Sequence, residues 1–362
     1  GGIHIRILEN DPQMVCINFF DSSGLNLKES DRRKIERCFF RGDFRRVYYT
    51  EIGREIYSAR GREYYTDGLI RAIDARLISQ SNFKLVVDFA HGGASLTFPA
   101  LFGDLDCEIV SLNAFTEESK IAVLPESLDQ SLTKLEQTVK VFKADLGVFI
   151  ENAGEKVRII DDQGNRLSLN QALMMLVSLM AKHGGKGKIA VPLSVPNMAE
   201  EIAKNAERTI MRTKMSRQAL MVAANRRDVM FAGDQDGGYI FPKFMPFIDS
   251  AMTLCQLLEL LAKEGKPLSE IRKDFGEASL AQKSIYCSWE EKGLVMRKLI
   301  EKAKDKNVEM IDGIKIHEDN GWVLVTPDQE QPLFQIYAEA EKNSTAEARV
   351  DDIINFIKSI VT

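Results

Sequence analysis

Three short stretches combine carboxylates with turn-forming residues in the way a cation or substrate site requires. Glu151-Asn152-Ala153-Gly154-Glu155-Lys156 sets two acids between the apolar runs 146–150 and 157–160, which have the composition of strands buried on both faces. Gly233-Asp234-Gln235-Asp236-Gly237-Gly238 is a second loop of acids and glycines. Thr326-Pro327-Asp328-Gln329-Glu330-Gln331-Pro332 is a third polar loop. Acids presented at strand ends by a rigid scaffold can hold a divalent cation or a polar substrate, and the same layout also suits an ordinary solvated turn.

Other residues that invite a chemical role have simpler readings. His183-Gly184-Gly185-Lys186-Gly187-Lys188 lacks the first glycine of a phosphate loop at Lys182 and the metal-binding hydroxyl at Ile189, so it reads as a helix end before a strand. His91, in a glycine-bearing turn, reads as a loop histidine bonded to backbone, and Trp322 as a core or cross-strand anchor. The arginines between Arg32 and Arg62 alternate with acids, which describes a solvated face rather than an anion site.

The elements that must position these loops follow from periodicity. Strands are expected at 1–8 and 14–20 and a helix over 31–40. From residue 65 a helix over 66–78, strand 84–89, helix 96–102, strand 107–112 and helix 128–140 give the βαβ rhythm of a parallel sheet. Alternation continues through helix 168–183, strand 189–191, segments 199–205, 209–213, 218–225 and 229–232, and helix 249–263, which Gly265 and Pro267 end. The final stretch is α+β: a helix across 290–304, a hairpin turning at Asn320-Gly321, strand 334–340 and helix 346–360.

The chain has 362 residues, 44% hydrophobic and 28% charged, with formal net charge −5. That length exceeds what one core usually serves, and the charge balance argues against nucleic acid as a partner. Five scattered cysteines suggest neither a disulfide framework nor a zinc site, and imply a reducing, cytoplasmic setting. No apolar run reaches the ~20 residues that span a bilayer, so no membrane partner is expected.

Four segments, in order, resemble the phosphohexomutases, the phosphomannomutase and phosphoglucomutase family: KLVVDFAHGGAS, the run ending in IIDDQGNRLS, AGDQDGGYIFP with LLELLAKEGKPLSEI, and IDGIKIHEDNGWVLV before QIYAEA. The resemblance implies a multidomain α/β architecture: a partial first domain (1–64), two mixed-sheet α/β domains (65–166 and 167–280) and a smaller α+β domain (281–362), with one loop from each meeting in a central cleft. It also implies what those loops once did. Leu8 stands where the family has the serine that carries the exchanged phosphoryl group, and leucine has no nucleophilic oxygen. Glu151, Ala153 and Glu155 stand where three aspartates hold magnesium, and Ala153 offers no ligand. Asp234 and Asp236 remain of the loop that orients sugar hydroxyls. Thr326, Asp328 and Glu330 replace the phosphate clamp, where a like charge ~4 Å from a phosphate costs ~1 kcal/mol even in water.

The resemblance therefore implies a mutase-like region without mutase chemistry and without a cofactor; magnesium enters only if the chain is instead an active phosphomannomutase or phosphoglucomutase. Cys287-Ser288-Trp289-Glu290-Glu291-Lys292-Gly293, with Val295-Met296-Arg297, looks like a linker of fusion proteins that carry a mannose-1-phosphate guanylyltransferase-type nucleotidyltransferase ahead of it. The implied partners are that N-terminal nucleotidyltransferase region, a sugar or nucleotide in the cleft, and further copies in a homo-oligomer. The start on Gly1-Gly2, directly in a strand, is expected of a fragment or processed product.

Overall fold

The computed structural model describes residues 1–8, 11–117, 120, 125–328 and 331–361. In chain order, β1 (Gly2–Leu8) and β2 (Asp11–Phe20) form an antiparallel hairpin, followed by α1 (Glu29–Arg41), which buries none of its side chains. Arginines of this region pair locally on the surface, Arg33 with Glu29 and Arg60 with Glu63.

Next come α2 (Gly61–Arg71), α3 (Ala75–Ser81), β3 (Lys84–Asp88), α4 (Phe98–Asp104), β4 (Glu108–Leu112), α5 (Pro125–Phe142), β5 (Leu146–Ile150) and β6 (Val157–Ile160). Their sheet has the order β4-β3-β5-β6, parallel except for β6. The helix expected over 66–78 is two helices. Asp74 accepts from the backbone N–H of Leu77 at 3.0 Å, so it starts a new helix instead of continuing the old one.

A second sheet, β10-β9-β7-β8, is built from β7 (Lys188–Pro192), β8 (Ile210–Thr213), β9 (Val229–Gly233) and β10 (Tyr239–Ile240). Around it lie α6 (Leu169–His183), α7 (Met198–Asn205), α8 (Arg217–Ala224), α9 (Ser250–Glu264) and α10 (Leu268–Ile271). A capping box at Ser168 and Gln171 starts α6. α6 is buried on all sides from Gln171 to Ala181, and α9 likewise from Ser250 to Leu261. One apolar core containing both helices runs from Leu69 to Phe275, so the two α/β units share a single interior.

The C-terminal unit is a five-stranded antiparallel sheet, β11-β15-β14-β13-β12, from β11 (Leu280–Tyr286), β12 (Asn307–Glu309), β13 (Ile314–Glu318), β14 (Gly321–Pro327) and β15 (Leu333–Glu339). α11 (Lys292–Lys302) and α12 (Asn343–Lys358) cover one face, over a core of their own. β11 and β12 escape sequence reading because LAQKSIY carries only one buried residue, Ala281, and β12 is three residues long. The hairpin turn lies at Asp319-Asn320, one residue earlier than expected, since Glu318 faces Gly321. Gly321 has φ +137, and a Cβ there would lie 2.0 Å from the Glu339 carbonyl oxygen.

All five cysteines are free, and no helix among the described residues is long and apolar enough to cross a membrane.

The C-terminal unit docks on the second sheet through Leu193, Trp322 and Leu324 and through one buried cation. Lys315, 2% exposed, donates to the Leu193 carbonyl oxygen at 2.8 Å and lies 4.2 Å from the Trp322 ring centroid. Burial pushes its pKa down to about 8; Arg212 adds to the shift, and Glu200, Glu309 and Glu339 oppose it. The folded pKa lies below the unfolded one, so the stability penalty is present in full below pH about 8 and is lifted as pH rises towards 10.5. Urea unfolding at stepped pH is expected to show the parent chain gaining stability over this window relative to Lys315→Met.

Candidate functional site

The loop 151–156 is held by main chain. Its turn closes when Glu151 N–H donates to the Lys156 carbonyl oxygen at 3.1 Å and Gly154 N–H to the Glu151 carbonyl oxygen at 2.8 Å. Gly154, with φ +70, turns its own carbonyl to the start of α9, where it accepts from Ser250 N–H at 3.2 Å and Ser250 Oγ at 2.5 Å. The neighbouring cap, Asp249, accepts from Met252 N–H at 2.7 Å and from the Tyr65 hydroxyl at 2.8 Å. A helix start has free N–H groups that need acceptors, and the loop supplies one of them.

The second loop is tied to the first. Val157 N–H donates to the Gly237 carbonyl oxygen at 3.0 Å, and any Cβ on Gly237 would come within 2.5 Å of the Val157 carbonyl oxygen. Asp234 does not point a free carboxylate at a ligand: its Oδ1 accepts from the N–H groups of Asp236 and Gly238, both at 2.9 Å, closing its own turn. Burial pushes the Asp234 pKa up, the Asp236 charge adds to this, and the two amide donors oppose it. Gln235 ties α6 to the residues that follow β7 and β9 within one unit, accepting from Ser194 Oγ at 2.6 Å and donating to Asn170 Oδ1 at 2.7 Å. Asp236 is exposed.

In the third loop Thr326 is buried at the end of β14, and Asp328 Oδ1 accepts from Gln331 N–H at 2.9 Å, again closing a turn. Glu330 lies outside the described residues. The segment 287–293, expected as a linker, is instead packed into the C-terminal unit. Cys287 is fully buried and its N–H meets the Pro332 carbonyl oxygen at 2.9 Å; Lys292 donates to the Asp328 and Gln331 carbonyl oxygens at 2.5 and 2.6 Å, with its ammonium 3.7 Å from the Trp289 ring centroid. Leu8 ends β1, and Glu9 and Asn10, which follow it, lie outside the described residues.

Asp234, Asp236, Thr326 and Asp328 come together on one cleft of about 940 Å³, with Lys156 from the first loop and Arg32 from α1. Acids and cations share its lining: Glu29 and Asp312 stand with the three aspartates, and Lys214 and Arg217 with Lys156 and Arg32. Tyr337 also faces it; burial, with the nearby charges of Asp236 and Asp328, pushes its pKa up to about 12. The side of the loop carrying Ala153 and Glu155 opens on a smaller hollow of about 370 Å³ beside His4, Phe20, Phe98 and Phe247.

A magnesium ion does not fit the residues present. Glu155, 5% exposed, has its carboxylate 2.6 Å from Arg217 Nη1, and Glu151 lies 3.9 Å from Arg158. Ala153 contributes no oxygen, so the middle ligand is missing and each flanking acid already has a guanidinium beside it. Arg217 was missing from the sequence reading because 62 residues separate it from Glu155. Its local signal is only the Ser216 cap of α8. Lys214, Lys292 and Lys315 escaped for the same reason: their roles depend on distant carbonyls and walls. His91 matches its simple reading, with Nδ1 3.0 Å from the Phe115 carbonyl oxygen, and Trp322 is fully buried in the cross-sheet junction.

Comparison with known proteins converges on one family. Residues 63–164 match the model of phosphoglucomutase/phosphomannomutase α/β/α domain II, and residues 169–278 match domain III. A phosphoglucomutase/phosphomannomutase of Thermococcus kodakarensis is 29% identical over 348 residues, 96% of this chain and 76% of the relative. A phosphoglucosamine mutase of Methanocaldococcus jannaschii is 25% identical over 368 residues, covering 100% and 81%. In fold, the chain superposes on a phosphoglucomutase/phosphomannomutase family protein of Burkholderia thailandensis with TM-score 0.78 at 18% identity, covering 98% of this chain and 75% of the other.

Removing the Arg217 guanidinium leaves Glu155 charged and buried. Arg217→Met is expected to cost about 3 kcal/mol in urea unfolding, and adding Glu155→Leu is expected to recover most of it.

Proposed function

Since the chain belongs to the phosphoglucomutase/phosphomannomutase family, we propose that it keeps the family's scaffold while serving a structural or regulatory role, without phosphoryl transfer, in a sugar-nucleotide biosynthetic enzyme. The observation that carries this reading is the Glu155–Arg217 ion pair at 2.6 Å. On the resemblance, this fixed cation stands where the family's loop would hold a divalent one, and Ala153 nearby has no ligand atom. Leu8 at the position of the phosphoryl-carrying serine supports the same reading, since no oxygen there can become a phosphoester. The acids of the other two loops support it as well, because Asp234 and Asp328 are engaged in closing their own turns.

The resemblance of 287–297 to fusion proteins is one of sequence alone, since the segment packs within the C-terminal unit; the parent's chemistry we propose on it is nucleotidyl transfer of the mannose-1-phosphate guanylyltransferase type, carried out by an N-terminal region. In that setting this region contributes assembly with further copies, or senses a sugar or nucleotide in the cleft. The cleft's mixture of Arg32, Lys156, Lys214 and Arg217 with Asp234, Asp236 and Asp328 suits a polar ligand more than a multiply charged anion.

The second reading, an active hexose-phosphate mutase, is favoured by the names of the relatives. One assay separates the two. The chain is incubated with the 1-phosphates of glucose, mannose and glucosamine, magnesium and a hexose bisphosphate activator, and 6-phosphate formation is followed together with the intact mass of the protein. Neither product nor phosphoprotein is expected; turnover that chelation abolishes would establish the mutase.

A further inference from the structure

The sheet β10-β9-β7-β8 has a second concavity at the end opposite the cleft. The cleft takes the residues that follow β7, β8 and β9, whereas a groove of about 490 Å³ takes those that precede β7 and β9, and the two share no residue. Its lining includes the apolar Met180, Met230, Phe241 and Pro246. Its rim is basic. Lys243 and Lys263 share a single acid, Glu259, at 3.4 and 2.6 Å, and Arg226 is matched by Asp228 at 3.0 Å. Lys186 and Arg227 have no acidic partner among the described residues.

One wall carries a polar group that the fold leaves unsatisfied. Gln256, on the fully buried stretch of α9, is 2% exposed, and its Oε1 has no hydrogen-bond partner among the described residues. A buried acceptor without a donor costs free energy, and a ligand bearing an N–H or O–H at that point would recover it. The volume falls within the range of small-molecule sites, and an apolar lining with a buried amide and surplus cations suits a base attached to a phosphate.

We propose that this groove binds a nucleoside phosphate, its base against Met180, Met230 and Phe241 with a donor on Gln256, and its phosphate among Lys186, Arg227 and Lys243. The site is independent of the cleft and does not rest on the function proposed for it.

Calorimetric titration of the whole chain with GMP, GDP and AMP tests this, with inorganic phosphate and glucose 6-phosphate as comparison ligands. Saturable binding of at least one nucleotide is expected, weakened about tenfold or more in the Lys186→Ala/Arg227→Ala double variant. Gln256→Met, close in volume, is expected to keep inorganic phosphate affinity while losing the preference for the nucleotide. Lys298→Ala, on α11 away from both the groove and the cleft, is expected to leave nucleotide affinity unchanged. The proposal is overturned if no nucleotide binds saturably up to about 5 mM, if glucose 6-phosphate or phosphate binds as tightly as the nucleotides, or if affinity responds to Lys298→Ala and not to the groove variant.

Discussion

The contact on which the cleft depends is the one between the first turn of α9 and the carbonyl of Gly154. It is made from N–H and hydroxyl to carbonyl, with Asp249 beside it capping the helix and anchoring Tyr65 at the start of the shared core. Burial raises the Asp249 pKa, and the Met252 amide and Tyr65 hydroxyl oppose that by favouring the charged form. Apart from the Ser250 hydroxyl and the glycine that φ +70 favours at 154, the bonds to Gly154 run from main chain to main chain, so the loop 151–156 is not held at the strand ends by its acids. The pairing of Val157 with Gly237 is main chain too, and it requires glycine at 237, where a Cβ would lie 2.5 Å from the Val157 carbonyl oxygen. The frame that presents the loops therefore does not depend on which acids they carry.

What the acids do instead follows from charge. An isolated carboxylate at 5% exposure is costly, and Arg217 provides the compensation that a divalent cation would otherwise give Glu155. Asp234 and Asp328 find theirs in backbone N–H groups of their own turns, and Asp161, fully buried, uses the same device together with Arg272 at 2.9 Å. Each of these is a way of satisfying an acid locally. Of the cleft's loop aspartates, Asp234 and Asp328 are engaged in this way.

Much of this was legible in the sequence. The strands KLVVD and LGVFI and the helices α6 and α9 announce themselves because strong apolar content coincides with clear caps and glycine ends. The failures have physical causes. Residues 66–78 look continuous until Asp74 is seen to cap, β11 has too few buried residues to read as a strand, and 287–293 reads as a linker because its anchors, the carbonyls of Asp328 and Gln331, lie 36 and 39 residues away. At the site, sequence could locate the loops and show that Ala153 breaks the ligand set. It could not show Arg217 beside Glu155, since no periodicity links positions brought together only by the packing of two sheets around α6 and α9.

The central claim is that fixed charge has replaced the metal at Glu151 to Glu155. Isothermal titration of the chain with magnesium chloride tests it most directly. The account predicts no saturable heat up to about 10 mM, a range in which a site of several carboxylate ligands would fill. Single-site binding in the micromolar range that disappears in Glu155→Ala would contradict it.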